Sequence, residues 1–302
     1  MSLKTELDTK GSLSTKGTLL EELATKGYAV VENVLTPEEI DIAKGYFYDW
    51  IESVPQIKKL HNTIDPHGIF KFGEVGHQKH AWFIRTRDAV QAPFCEIWGT
   101  DELITSFDGS CWIPSGTRKA DNIWTHTDQA PDNSDFQCVQ SFVALTENKS
   151  RTLVVYEGSH LLHAEYVKSR GLTGTKNWQL IDHDYLASIA DKKRVLHVKA
   201  GSMVLWDSRT FHQNQYGSDI SEERIVQYTC FLPRSHPKNT PKMREKRLKY
   251  LDERRTTSHW PCPIHVNGKQ PQNYGNTDLI VDYSALPEPD LSEFEDDILR
   301  IV

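Results

Sequence analysis

The spacing of apolar residues divides the chain into a helical entry, a long run of short strands and a helical exit. Thr18 to Lys26 carries the Leu and Glu pattern of a short helix and runs into Gly27, the residue type that best closes a helix in the left-handed conformation. Tyr28-Ala29-Val30-Val31 is strand-like. Thr36, Pro37 and Glu39 then form a helix start signal, with a hydroxyl cap, a proline in the first turn and an acid placed to reach back. Ile40, Ala43, Phe47 and Trp50 follow at helical spacing on one face, as far as Ile51. From His61 to His80 the periodicity is lost, and the stretch reads as an irregular loop holding His61, His67, His77 and His80. Those histidines suit either an active-site loop or a solvated one. Trp82 to Trp98 mixes helical and broken patterns.

Beyond the turn at Gly99 the period shortens to two. Leu103–Asp108, Ser110–Ile113, Ile123–Asp128, Phe136–Leu145 and Leu153–Tyr156 read as strands. In the longest of these, Gln140, Phe142 and Ala144 share one face, and Val139, Ser141 and Val143 the other. Residues 164–194 are polar, with Tyr166, Trp178 and Tyr185 as anchors, and read as an insertion over the strands. Val195–Val198 and Ser202–Trp206 are expected to pair as a hairpin around Ala200-Gly201. Arg224 opens the apolar run Ile225–Phe231, which Pro233 stops. From Lys238 to Arg255 eight basic residues face three acids, the mark of a helix with a solvated face, with an anion or CoA-phosphate site as the sharper alternative. Phe294, Ile298 and Leu299 suggest a last short helix, and Trp260 reads as a packing residue.

Composition narrows the class. A chain of 302 residues with net charge −7 lacks the basic excess of a nucleic-acid binder. No apolar run approaches the roughly 20 residues of a membrane span. Five cysteines without CxxC spacing point to reduced thiols and a cytoplasmic protein. The terminal Leu299–Val302 is not a peroxisomal tripeptide, which leaves an N-terminal peroxisomal address open. Residues 1–17 are expected to form a mobile leader and 18–302 a single domain, and the sequence is silent on oligomeric state.

The candidate chemistry lies in Trp124-Thr125-His126-Thr127-Asp128-Gln129 and Asp207-Ser208-Arg209-Thr210-Phe211-His212. His126 and Asp128 are two apart and project to one side of a strand. A His-x-Asp triplet arises readily by chance among 13 histidines. The second half raises its weight: the turn at Gly201 feeds an apolar strand that ends just before His212, and Arg224 opens the next run twelve residues on, a run expected to lie beside the His212 strand. Two histidines and one carboxylate with open positions opposite are the ligand set of non-haem Fe(II) oxygenases. His160 invites a ligand reading but sits in a Gly-Ser-His loop after a strand and is expected to be structural.

His126-Thr127-Asp128, Glu157-Gly158-Ser159-His160, Gly201 through His212, and Arg224 together resemble the phytanoyl-CoA dioxygenase family of Fe(II)/2-oxoglutarate oxygenases, from about Gly27 to about Pro237. The resemblance implies a mainly β fold with flanking helices, a double-stranded β-helix or jelly roll. It implies Fe(II) on His126, Asp128 and His212, and 2-oxoglutarate and O2 as co-substrates. Arg224 would pair with the far carboxylate, with Gln140 and Phe142 lining the co-substrate pocket, and a small organic or acyl substrate would be oxidised with release of succinate and CO2. Many 2-oxoglutarate oxygenases carry a hydroxyl residue two positions after the Arg; here Val226 stands there, so a second polar anchor must come from elsewhere. Halogenation is disfavoured because Asp128 is present. A zinc hydrolase and a non-catalytic cupin-like binding protein are the alternatives for the same ligand set.

Overall fold

The computed structural model describes residues 18–64, 67–271 and 276–302; the expected leader lies outside them. Helix α1 (Leu19–Lys26) opens on a reciprocal cap between Thr18 and Glu21 and closes on Gly27 at φ +81°. Strand β1 (Tyr28–Val31) follows, then α2 (Pro37–Ser53), started by the same box between Thr36 and Glu39 and burying Ala43, Phe47, Trp50 and Ile51.

The next stretch departs from the expected irregular loop. Helix α3 (Pro55–Ile64), strand β2 (Ile69–Phe70) and helix α4 (Lys79–Arg85) occupy most of it. His61, His77 and His80 are neither active-site nor solvated residues but core rings. His61 stacks on Phe70 with centroids 4.2 Å apart. His80 meets Ser110 Oγ at 3.1 Å, and His77 Nε2 meets the Arg255 carbonyl at 3.1 Å. Burial, with Arg85 adding its charge, pushes His77 and His80 down to about 3, so both stay neutral and pack as aromatics.

The chain continues through α5 (Asp88–Trp98), β3 (Leu103–Thr105), β4 (Ser110–Ile113), β5 (His126–Thr127), β6 (Val139–Ala144) and β7 (Leu153–Tyr156). Residues 164–194, expected as a polar insertion, contain most of α6 (His163–Ser169), then β8 (Gln179–Leu180), α7 (His183–Ser188) and the start of β9 (Lys193–Val195). Tyr166, Leu186 and Phe211 give that region a small core of its own. Then come β10 (Met203–Asp207), β11 (His212–Asn214), β12 (Arg224–Thr229) and β13 (Phe231–Pro233). The basic stretch forms α8 (Pro241–Asp252), mostly solvated but with Arg247 buried, and the tail forms α9 (Glu295–Ile301).

Two antiparallel sheets face each other: β1-β10-β6-β12-β4-β2 and β8-β5-β11-β7-β9. The period of two explains both of their packed faces. Phe142, Ala144, Val204, Trp206 and Val226 point between the sheets, against Leu153 and Val155. Val139, Val143, Met203, Leu205 and Ile225 point outward and are covered by α2, α4 and α5 through Phe47, Trp82 and Phe94. This is the expected jelly roll with helices packed outside.

Two pairings differ from expectation. Val195–Val198 and Ser202–Trp206 form no hairpin: β9 pairs with β7, Val198 bridges Asn148, and β10 lies between β1 and β6. Gly201, at φ +79°, carries the chain from one sheet to the other, and a Cβ there would meet the Leu35 carbonyl oxygen at 2.8 Å. Likewise β12 lies between β6 and β4, not beside β11. Strands consecutive in a jelly roll commonly sit in opposite sheets, and Arg224 and His212 accordingly belong to facing sheets.

Candidate metal centre

The register of β11 on β5 sets His212 directly opposite His126, with ring centroids 4.4 Å apart. Asp128 follows two residues on. Its N–H and the Thr127 hydroxyl both donate to the Ser208 carbonyl, at 3.0 and 2.9 Å, which ties this ligand segment to the loop before β11. Asp128 Oδ2 lies 3.5 Å from His126 Nε2 and 3.3 Å from His212 Nε2. The ligand atoms of all three residues fall within 4.8 Å of one another, and among the described residues no other trio of His, Cys, Asp or Glu gathers in this way.

The surroundings fix the chemical form of each group. His126 Nδ1 faces the Trp124 carbonyl at 3.2 Å, and His212 Nδ1 faces the Thr210 carbonyl at 2.8 Å. A carbonyl only accepts, so Nδ1 carries a proton, and Nε2 is the ring nitrogen left facing Asp128, where a metal would sit. Gln140 Nε2 donates to Asp128 Oδ2 at 3.0 Å. Burial works to raise the Asp128 carboxyl, but His126 and His212 outweigh it and hold the group well below the usual carboxylate range. Burial, with His126 nearby, lowers His212. Two neutral imidazoles and a carboxylate are the forms a divalent metal requires, and the donor set fits Fe(II).

In front of the trio is a cavity of about 480 Å³, with Trp124, Trp178, Asn214 and Tyr228 in its wall. Trp124 and Trp178 both stack on the His126 ring, at 4.8 and 5.7 Å. Trp178 is 40 % exposed and stands at the rim.

Arg224 is fully buried on the inner face of β12, the face it shares with Val226 and Tyr228. Its Nε donates to Asn148 Oδ1 at 2.8 Å, and its guanidinium lies 5.3 Å from the Phe142 ring centroid. Nη1 and Nη2 are buried with no hydrogen-bond partner. The neighbouring acids are engaged elsewhere. Glu222 accepts from the backbone N–H groups of Lys149, Ser150 and Arg151, and Glu223 from Trp112 Nε1 and the Tyr48 hydroxyl. Arg224 and Phe142 stand behind the cavity wall, whereas Gln140, Asn214 and Tyr228 line it. Asn214 Nδ2 donates to the Tyr228 hydroxyl at 3.0 Å, and burial holds that phenol above its ordinary range, so its own proton stays available.

His160 lies outside the trio. Its Nε2 meets the Ala24 carbonyl at 3.1 Å, and its ring fills the space where a side chain at Gly27 would go. The sequence reading passed over Asn214 and Tyr228. Period two from His212 and from Arg224 marks both as inward-facing, and that signal was available.

A sequence profile of the family described as phytanoyl-CoA dioxygenase (PhyH) matches residues 23–215. The chain belongs to the phytanoyl-CoA dioxygenase family. It is thus a 2-oxoglutarate-dependent oxygenase that uses iron. The match contains the whole trio and ends before Arg224. A curated relative, "Ava biosynthesis cluster protein O" of Aspergillus versicolor, is 26 % identical over 243 residues, covering 71 % of this chain and 77 % of the relative. Among solved structures, the nickel complex of the non-heme monooxygenase ThoJ superposes with a TM-score of 0.50 at 15 % identity, over 94 % of this chain and 95 % of that one. HygX from Streptomyces hygroscopicus, with nickel, 2-oxoglutarate and hygromycin B bound, scores 0.50 at 11 % identity, over 72 % of this chain and 87 % of that one. EctD from S. alaskensis, with 2-oxoglutarate and 5-hydroxyectoine, scores 0.50 at 16 % identity, over 76 % and 80 %. At such identities the likeness is one of fold. Among the described residues, no helix is long and apolar enough to cross a membrane.

Proposed function

We propose that this chain oxidises a small organic molecule while converting 2-oxoglutarate and O2 to succinate and CO2, with His126, Asp128 and His212 holding Fe(II) and Arg224 receiving the far carboxylate of 2-oxoglutarate. The observation that carries this reading is Arg224: a fully buried guanidinium with Nη1 and Nη2 unpartnered, on the barrel face opposite the trio. A buried cation without a counter-charge costs several kcal/mol. The two oxygens of one carboxylate accept from a guanidinium fork in parallel and remove that cost. A zinc hydrolase would have no use for such a group.

Tyr228 supplies the second polar anchor that Val226 cannot. Its O–H shares the Arg224 face and is oriented by Asn214. Phe142 packs beneath the guanidinium, and Gln140 orients Asp128. Bound Fe(II), together with the 2-oxo acid and O2, supplies the oxidant for a substrate C–H bond. Because Asp128 occupies the carboxylate position, the outcome is oxygenation and not halide transfer. A cavity of about 480 Å³ falls in the ~300–1,000 Å³ range of small-molecule sites. All five cysteines are free thiols, which fits a cytoplasmic enzyme, and we read 18–302 as one oxygenase domain.

The test is succinate release from Fe(II) protein, 2-oxoglutarate and O2 across four substrate classes: free amino acids, alkaloid-like molecules, acyl thioesters and peptides. Iron-dependent succinate formation, stimulated by a small molecule, is expected. No succinate with any class, alongside zinc-supported hydrolysis, would overturn the reading.

A further inference from the structure

The cavity has a second wall besides the one formed by the trio and Tyr228. It is built by the segment Thr256–Asn267, which lies outside the family match yet contributes Thr257, Ser258, His259, Trp260, His265 and Asn267 to the lining. The segment is a fixed strap. Thr257 N–H donates to the Phe107 carbonyl at 2.9 Å, Ser258 N–H to the His265 carbonyl at 2.8 Å, and Asn267 N–H to the Thr256 carbonyl at 3.0 Å. Trp260 is anchored against Cys138 and Cys230, the packing role read from the sequence.

Three consecutive side chains of the strap hold a buried polar atom with no hydrogen-bond partner: Ser258 Oγ, His259 Nε2 and Trp260 Nε1. Asp108 Oδ2, in the same cavity wall, is a fourth, and burial raises that carboxyl to about 7, where it can hold a proton and donate. Folded proteins leave few buried polar groups unpaired, so four along one cavity call for a ligand. Their chemistry restricts it. An indole N–H donates only, so the molecule facing Trp260 must bring an acceptor. Burial pushes His259 down to about 4, leaving a neutral imidazole that adds no charge of its own. Lys71 brings a positive charge to the same cavity. Elsewhere in the lining, Trp124 is already stacked by His67 and His126, and Trp178 stands against His126 at the rim.

We propose that Ser258, His259 and Trp260, with Lys71, form the substrate-recognition wall, and that it selects a molecule bearing a carbonyl or carboxylate oxygen. The assignment rests on the oxygenase reading only in that the molecule held there is the one oxidised.

The experiment is calorimetric titration of the Fe(II) protein under anaerobic conditions with naphthalene-2-carboxylate, naphthalene-2-carboxamide and 2-naphthylmethylamine, which lacks an acceptor. The carboxylate and the amide bind at least tenfold tighter than the amine. Trp260→Phe and Ser258→Ala each weaken the two acceptor probes roughly tenfold, the loss expected for one buried hydrogen bond. Lys71→Met removes the preference for carboxylate over amide. An amine that binds as tightly as the carboxylate, or Trp260→Phe and Ser258→Ala proteins with wild-type affinities for all three probes, would overturn the wall. The 2-oxoglutarate midpoint, measured on the same samples, is unchanged in these variants. A wild-type protein that binds the probes as described but not 2-oxoglutarate would sink the oxygenase reading and leave the wall standing.

Discussion

His126 and His212 are prepared for a metal by two backbone carbonyls that accept hydrogen bonds from their Nδ1–H groups, and Asp128 by the amide of Gln140. His212→Ala removes one of three ligands without disturbing β11, whose strand bonds are made by the backbone. The variant keeps its far-UV circular dichroism and loses Fe(II); full iron occupancy by metal analysis would contradict the assignment. Gln140→Leu leaves the ligands in place but frees the carboxylate, and Fe(II) affinity in a competitive chelator titration falls about 10- to 100-fold. His160→Ala is the contrasting case. It keeps iron and loses thermal stability, because His160 braces Ala24 and Gly27 and not the metal. The trio was legible in the sequence because period two sets His126 and Asp128 on one face and the strand after Gly201 leads to His212. Ser258, His259 and Trp260 were not, because an unpaired polar atom is a property of what surrounds it.

At the scale of elements, α1, β1, α2 and the strands of the barrel followed from caps and from period two. Helices α3 and α4 did not. Their histidines count as polar in any pattern, yet burial makes His61, His77 and His80 members of the aromatic core beneath α2. This has a pH consequence. His77 and His80, normally near 6.5, are pushed down to about 3 by burial and the nearby Arg85. The unfolded chain therefore binds more protons than the folded one between those values, and stability rises with pH there. The contribution is complete above about pH 6.5 and is lost as pH falls toward 3. Each histidine should withdraw about 2 kcal/mol between pH 7 and 5. Urea unfolding of His80→Phe at the two pH values should show a drop smaller than wild type by about that amount. An equal drop in both proteins would mean that His80 takes up a proton while folded. The hairpin expected at Ala200-Gly201 failed for a different reason: Gly201 marks a turn, but a turn does not say whether the chain stays in its sheet.

The whole molecule brings together parts that are far apart in sequence and that the family match divides. The trio lies inside residues 23–215, while Arg224, proposed as the co-substrate anchor, and the strap at 256–267 lie outside them. The jelly roll permits this because β12 and β11 belong to facing sheets and both turn side chains into the same interior. The strand order expected around Arg224 was not found, since strand adjacency is decided by the crossover and not by nearness along the chain. The central claim is that Arg224 completes the 2-oxoglutarate site. It is tested most directly by titrating 2-oxoglutarate into anaerobic Fe(II) protein and following the absorption band of the metal–2-oxo-acid complex in wild type and Arg224→Leu. Breaking a buried charge pair costs about 3–5 kcal/mol. The midpoint should therefore rise roughly a hundredfold or more, with iron binding intact. An unchanged midpoint in Arg224→Leu would contradict the account.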